Sequence, residues 1–280
     1  MKTIPTFLSV LCCRVDGSSR SGGNGAVASG SRGQTSRRGA PVPAVLIHGV
    51  PDTHRLWDAV RRNLSRQDVQ AWDLPGFGAP LADGFGATKE EYVDWLIQRL
   101  ESIGEPVDLV GHDWGCILTA RVASLRPDLV KTWAGGNGPI NGGYHWHALA
   151  EIWQDPDQGR QFMADSTPAS LTELVAGFDI PAELAAETAS RVDEVMKDCI
   201  LKLYRSAVTV GAEWEPGLAN VQAPSVVFWG ALDPACQIEF GHRLGESLRA
   251  ADVVELDCNH WTVLQKPAEV AALLEAHWSN

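Results

Sequence analysis

Short, mostly apolar runs punctuate this chain from residue 44 onward: Ala44–Ile47, Val69–Asp73, Val107–Val110, Val130–Ala134, Ser225–Trp229 and Val253–Leu256. Runs this short, without polar alternation, predict strands buried on both faces, as in a parallel sheet. Between them the period changes. Glu90–Ile103 lines up Tyr92, Val93, Leu96, Ile97, Leu100 and Ile103 along one helical face, and Ile238–Leu248 and Ala268–Trp278 read the same way. Strands alternating with helices predict an α/β fold built on a mostly parallel, doubly wound sheet. Residues 139–212 break the alternation. They are helix-prone, rich in Ala, Glu and Asp, and show no strand pattern. The expected organisation is a sheet-bearing core over 44–138 and 213–280, with 139–212 inserted between two strands as a helical cap.

Residues 1–43 differ in kind. Ile4–Cys13 is a short apolar stretch resembling a weak signal sequence, but it contains Pro5 and lacks a clean cleavage site. Residues 14–43 are rich in Gly, Ser and Arg without apolar periodicity, which predicts disorder. Gly23–Ala28 matches a dinucleotide-binding fingerprint, yet no strand precedes it and no amphipathic helix follows, so it is read as chance. No cofactor is expected.

Composition narrows the function. Apolar residues make up 45% of the chain, enough for an ordinary core, and the net charge of -12 argues against nucleic acid or an anionic membrane as partner. No apolar run is long enough to span a bilayer. Cys12, Cys13, Cys116, Cys199, Cys236 and Cys258 show no paired spacing and read as scattered free thiols. The expected compartment is the cytoplasm, with secretion the minor alternative. A homodimer stays open.

Ligands of open parallel sheets bind beyond the carboxyl ends of the strands. The polar residues that matter lie there: His48-Gly49-Val50-Pro51, Gly111-His112-Asp113-Trp114-Gly115, Asp233 and His260. Asp113 occupies the centre of a small-x-nucleophile-x-small turn, and the order nucleophile, acid, histidine is that of a hydrolase triad. With these motifs the chain resembles the α/β-hydrolase superfamily, and within it the epoxide hydrolase and haloalkane dehalogenase branch. The resemblance covers residues 44–280 and is weakest in the cap. It implies Asp113 as nucleophile, His260 and Asp233 as its water-activating pair, and backbone N–H groups of Val50 and Trp114 as an oxyanion hole. His48, Gly49, Pro51 and His112 are expected to support the site.

The aspartate itself has chemical meaning. Serine displacing a leaving group from saturated carbon would yield an ether, which is inert. Aspartate yields an alkyl ester whose own carbonyl carbon water can attack. The branch divides on the leaving group. Epoxide opening wants a proton for the alkoxide, and Tyr204, in Leu203-Tyr204-Arg205, is similar to the family's ring-opening tyrosine. Tyr144 matches the family's other tyrosine poorly, and Trp146 and Trp153 are alternative pocket residues. For a dehalogenase the residue after Gly49 would ideally be asparagine, and here it is Val50. Trp114, not arginine, follows the nucleophile, which argues against a fluoroacetate-type enzyme. The preferred expectation is an epoxide hydrolase acting on a small apolar substrate and water. Haloalkane dehalogenase is the alternative, and an inactive α/β-hydrolase scaffold or ligand-binding protein a further one. The family's N-terminal hairpin is not apparent, which fits a shortened or misread start. His145 and His147 form an HxH pair with no third ligand, so no metal is expected.

Overall fold

The computed structural model describes residues 42–279. The signal-like stretch, the Gly-rich segment, Cys12 and Cys13 lie outside them.

Six strands form one sheet: β1 (Ala44–Ile47), β2 (Val69–Trp72), β3 (Val107–His112), β4 (Val130–Gly136), β5 (Ser225–Gly230) and β6 (Val253–Leu256). Their spatial order is β2-β1-β3-β4-β5-β6, and every pairing is parallel. The helices are α1 (Asp58–Asn63), α2 (Lys89–Glu101), α3 (Trp114–Leu125), α4 (Ala148–Gln154), α5 (Pro156–Asp165), α6 (Pro168–Ala176), α7 (Ala182–Ser190), α8 (Glu194–Ser206), α9 (Val210–Trp214), α10 (Ile238–Leu248), α11 (Thr262–Gln265) and α12 (Pro267–Trp278).

The six apolar runs are the six strands. β1, β3 and β5 are wholly buried, as continuous apolar sequence requires. The edge strands β2 and β6 depart from burial on both faces: Gln70 and Glu255 are exposed, because an edge strand has helices over less of its surface. α2 buries Tyr92, Val93, Leu96 and Leu100, and starts at a capping box in which Thr88 and Glu91 exchange hydrogen bonds. It ends at Glu101, so Ile103 packs from the following turn rather than from the helix.

Six helices, α4 to α9, fill the chain between β4 and β5, with no strand among them. Pro at the first turns of α5 and α6, and side-chain caps from Asp155, Thr167 and Asp193, explain why this stretch breaks into short helices. Among the described residues no helix is long and apolar enough to cross a membrane. Cys116, Cys199, Cys236 and Cys258 are free and buried.

Candidate active site

β3 runs into α3 through Asp113, whose backbone sits at φ 52° and ψ -123°. A residue other than glycine is rare there, and the strain is tolerated where the surroundings over-determine the turn. They do so here. The Asp113 N–H donates to Gly136 O at 2.9 Å, while its carbonyl accepts from Cys116 and Ile117. A side chain at Gly115 would put its Cβ 2.2 Å from Ile47 O, so α3 can lie against β1 only with glycine at that position. The turn holds the carboxylate out from the sheet at the carboxyl end of β3.

Asp113 Oδ2 accepts the Val50 N–H at 2.7 Å, and the Trp114 N–H adds a second backbone contact. Gly49 makes that approach possible, since a Cβ there would lie 2.2 Å from Oδ2. Oδ1 faces His260 Nε2 at 3.7 Å, too far for a hydrogen bond. On its other side the His260 Nδ1–H donates to Asp233 Oδ2 at 2.8 Å. Asp233 is fully engaged. Oδ1 accepts the N–H groups of Ala235 and Cys236 at 2.9 Å each, and Oδ2 also accepts Asn137 Nδ2 at 2.7 Å.

The electrostatics follow from this wiring. Burial pushes the Asp113 pKa above the ordinary carboxylate range, and His260 with the two backbone N–H groups pulls it part of the way back. Burial would also raise Asp233, but the charge and hydrogen bond of His260, with Cys236 and Asn137 as donors, leave it below that range. Burial would lower His260, yet Asp233 outweighs it, helped by Cys236 and Asp113, and its pKa stands well above the usual imidazole value. The pairing with Asp233 thus favours the protonated form of His260.

Residues 44–273 match the profile of the alpha/beta hydrolase family. The chain belongs to that family. Among curated relatives, (E)-2-((N-methylformamido)methylene)succinate hydrolase of Acinetobacter baylyi is 27% identical over 85% of this chain and 91% of its own. A haloalkane dehalogenase of Mycolicibacterium paratuberculosis is 27% identical over 69% of this chain and 68% of its own. Among solved structures, an enol-lactonase from Burkholderia xenovorans superposes with a TM-score of 0.73, at 16% identity over 88% of this chain and 94% of the other. The two curated relatives differ in the activity that they are named for.

Four further residues from the HGVP and GHDWG motifs lie around the alpha/beta hydrolase site. His48 Nδ1–H donates to Gly49 O at 2.8 Å and Nε2 accepts the Leu74 N–H at 3.1 Å. Burial pushes its pKa down to about 4, so it is a neutral strut. His112 Nε2–H donates to the His260 carbonyl at 2.8 Å, and burial takes it down to about 3. Pro51, joined to Val50 by a cis bond, leads to Asp52.

The insertion closes over Asp113 with aromatic rings. Tyr204, near the end of α8, packs edge-on to Trp114 (ring centroids 5.2 Å apart) and to Trp153 (4.9 Å), and lies tilted against Trp146 (5.4 Å). Trp146 stacks on Trp114 at 5.8 Å. Burial and the nearby Asp113 charge raise the Tyr204 pKa well above the usual phenol value, so the phenol keeps its proton. The end of α8 is latched to the core: Lys89 Nζ donates to Ser206 O at 2.7 Å, and the Lys89 N–H to Ser206 Oγ at 2.9 Å. Tyr144 reaches the same box with its ring, but its O–H donates to Ala235 O at 2.9 Å.

Three contributors escaped sequence reasoning. Asn137 follows β4 in a Gly-Gly-Asn-Gly run and holds Asp233. Asp52 accepts Trp261 Nε1 at 2.9 Å, tying the Val50 loop to the His260 loop, and burial raises its pKa to about 7. Cys236 touches His260. Only the turn-like GGN run was a signal, because the other two depend on contacts remote in sequence. Asp233, Cys236 and His260 bring possible metal ligands within 4.8 Å of one another. Both Asp233 oxygens are already saturated by N–H donors, so this cluster suits proton handling better than a cation.

Proposed function

We propose that this alpha/beta hydrolase opens small apolar epoxides to vicinal diols through a transient ester on Asp113. One observation carries the reading: one carboxylate oxygen, Oδ2, already accepts the Val50 N–H at 2.7 Å while the other, Oδ1, faces His260. Oδ1 is then the attacking atom. It forms a bond to a ring carbon, the carbon–oxygen bond breaks, and the departing oxygen takes the Tyr204 proton. Oδ2 remains as the ester carbonyl, already at the Val50 N–H, where a donor would stabilise an oxyanion.

Alkylation removes the Asp113 charge, and with it one of the influences holding His260 protonated. His260 passes its proton to the phenolate left on Tyr204, and the neutral imidazole then takes a proton from water. The resulting hydroxide adds to the Asp113 carbonyl carbon, the bond from that carbon to the alkyl oxygen breaks, and the alkyl oxygen takes the proton of the new carboxyl group to leave as the diol, restoring the Asp113 carboxylate beside protonated His260. Asp233, locked by four N–H donors, orients the imidazole and balances its charge.

A second reading has its own support. The indole N–H groups of Trp114 and Trp153 are buried without a hydrogen-bond acceptor among the described residues, and both rings touch Tyr204. Two such donors would suit a departing halide, which needs no proton, and a haloalkane dehalogenase is among the relatives. The phenol of Tyr204 favours the epoxide.

Styrene oxide and 1-bromobutane separate the two, scored for diol and for released bromide. Single turnover in heavy-oxygen water tests what they share, since the ester pathway places the label on Asp113. Absence of that label with a turned-over substrate would sink both.

A further inference from the structure

The insertion meets the site at a second place, on the side of His260. Between α6 and α7 the chain turns through Phe178 and Asp179, whose N–H groups donate back to Val175 O and Ala176 O at 3.1 Å each. Asp179 sits at φ 59°, a left-handed backbone that aspartate adopts more readily than most residues. The turn presents two successive carbonyl groups to one donor. Gln265 Nε2 donates to Phe178 O at 3.2 Å and to Asp179 O at 3.3 Å.

Gln265 closes α11, and its Oε1 accepts the Asn259 N–H at 2.9 Å. Asn259 Nδ2 in turn donates to the Asp179 carboxylate. Asp179, Gln265 and Asn259 thus form a closed triangle of hydrogen bonds, one corner in the insertion and two in the core. Asn259 is the residue immediately before His260. The Phe178 ring extends the same contact, lying 6.1 Å from the His260 ring and 5.1 Å from that of Trp261. His260 is otherwise held by Asp233 at Nδ1 and by His112 at its carbonyl. Hydrogen bonds are directional, so the triangle fixes the segment that enters His260 as those two bonds fix the residue itself.

We infer that Phe178 and Asp179 are positioning residues for His260: through Gln265 and Asn259, the turn between α6 and α7 holds the imidazole where it takes a proton from water. The inference rests on the Asp113 ester, which both substrate readings share. Forming that ester makes and breaks no bond at His260. Hydrolysis needs Nε2 aligned on a water beside the Asp113 carbonyl carbon, and a misplacement of about 1 Å in such an alignment costs on the order of 100-fold. Loss of the link therefore falls on hydrolysis alone.

Two variants of the full chain separate the link from its surroundings. Gln265→Glu keeps an acceptor for the Asn259 N–H and removes the donor to the turn. Asp179→Gly removes the carboxylate that Asn259 holds and keeps a residue at ease with positive φ. Single turnover followed by intact-protein mass reads ester formation and ester decay separately, with styrene oxide or 1-bromobutane, whichever is turned over. Gln265→Glu should hydrolyse the ester about tenfold more slowly, and Asp179→Gly severalfold, with ester formation unchanged in both. Unaltered hydrolysis in Gln265→Glu, or equal slowing of both steps, overturns the inference. If that variant does not fold, Asp179→Gly decides in its place by the same criteria.

A second measurement needs no substrate. The His260 Nδ1–H, hydrogen-bonded to Asp233, gives a far-downfield proton resonance, assigned by its loss in His260→Ala. It should shift or broaden in both variants, and a resonance unmoved in both overturns the inference. Should it move while no substrate leaves an adduct even on His260→Ala, the positioning stands and the ester reading falls.

Discussion

Asp113, Asp233 and Asn137 are tied to backbone or side-chain partners at 2.7–2.9 Å, whereas Tyr204, Trp146 and Trp153 meet ring against ring at 4.9–5.4 Å. The first group lies on loops at the ends of parallel strands. The second lies in the insertion, Tyr204 and Trp153 on helices and Trp146 just before α4. Hydrogen bonds are directional, so the strand-end loops hold atoms in one geometry. Ring packing is far less so, and a ring can be exchanged at modest cost. Under the proposed mechanism, the bond-making groups belong to the core and the groups that choose the substrate to the insertion.

The sharpest break is Asp113→Asn, which should cut turnover on the order of 10⁴-fold or more with unchanged circular dichroism. Undiminished activity would remove the nucleophile from this account. His260→Ala comes next. It should slow ester hydrolysis about 1000-fold and accumulate protein carrying the mass of one substrate; a proven substrate that leaves no adduct would count against two steps. On the insertion side the effect should be smaller and selective. Tyr204→Phe is expected to slow styrene oxide about 100-fold and 1-bromobutane hardly at all, and equal losses on both would end its role as proton donor. The smallest effect needs no substitution. Attack requires ionised Asp113, whose pKa burial raises, so ester formation should fall off with acid at a pH above the ordinary carboxylate range. A single-turnover pH profile that stays flat down to that range would contradict it.

Pairing and burial explain which parts of this arrangement could be read in advance. The six strands are legible because apolar continuity is local, and the insertion because its composition changes where the alternation stops. Asp113 is legible because the turn demands small residues at Gly111 and Gly115. Asp233 and His260 are legible only by their place after β5 and β6. Their convergence depends on β3, β5 and β6 lying in one sheet, in the order that the crossovers set.

By itself the sequence determined the parallel α/β core, the strand-to-helix turn with a carboxylate at its apex, and the order of the residues around it. Periodicity and turn chemistry act over a few residues, so a one-dimensional pattern is enough to encode them. Tertiary structure alone decided that Asn137 completes the shell of Asp233, that Asp52 binds Trp261, that the hydroxyl of Tyr144 is spent on backbone, and that Tyr204 stands among the tryptophans facing Asp113. Each of these joins segments far apart in the chain. Which partner a buried polar group finds is set by how the sheet and the insertion close on each other, a property of the whole fold and not of any stretch of it.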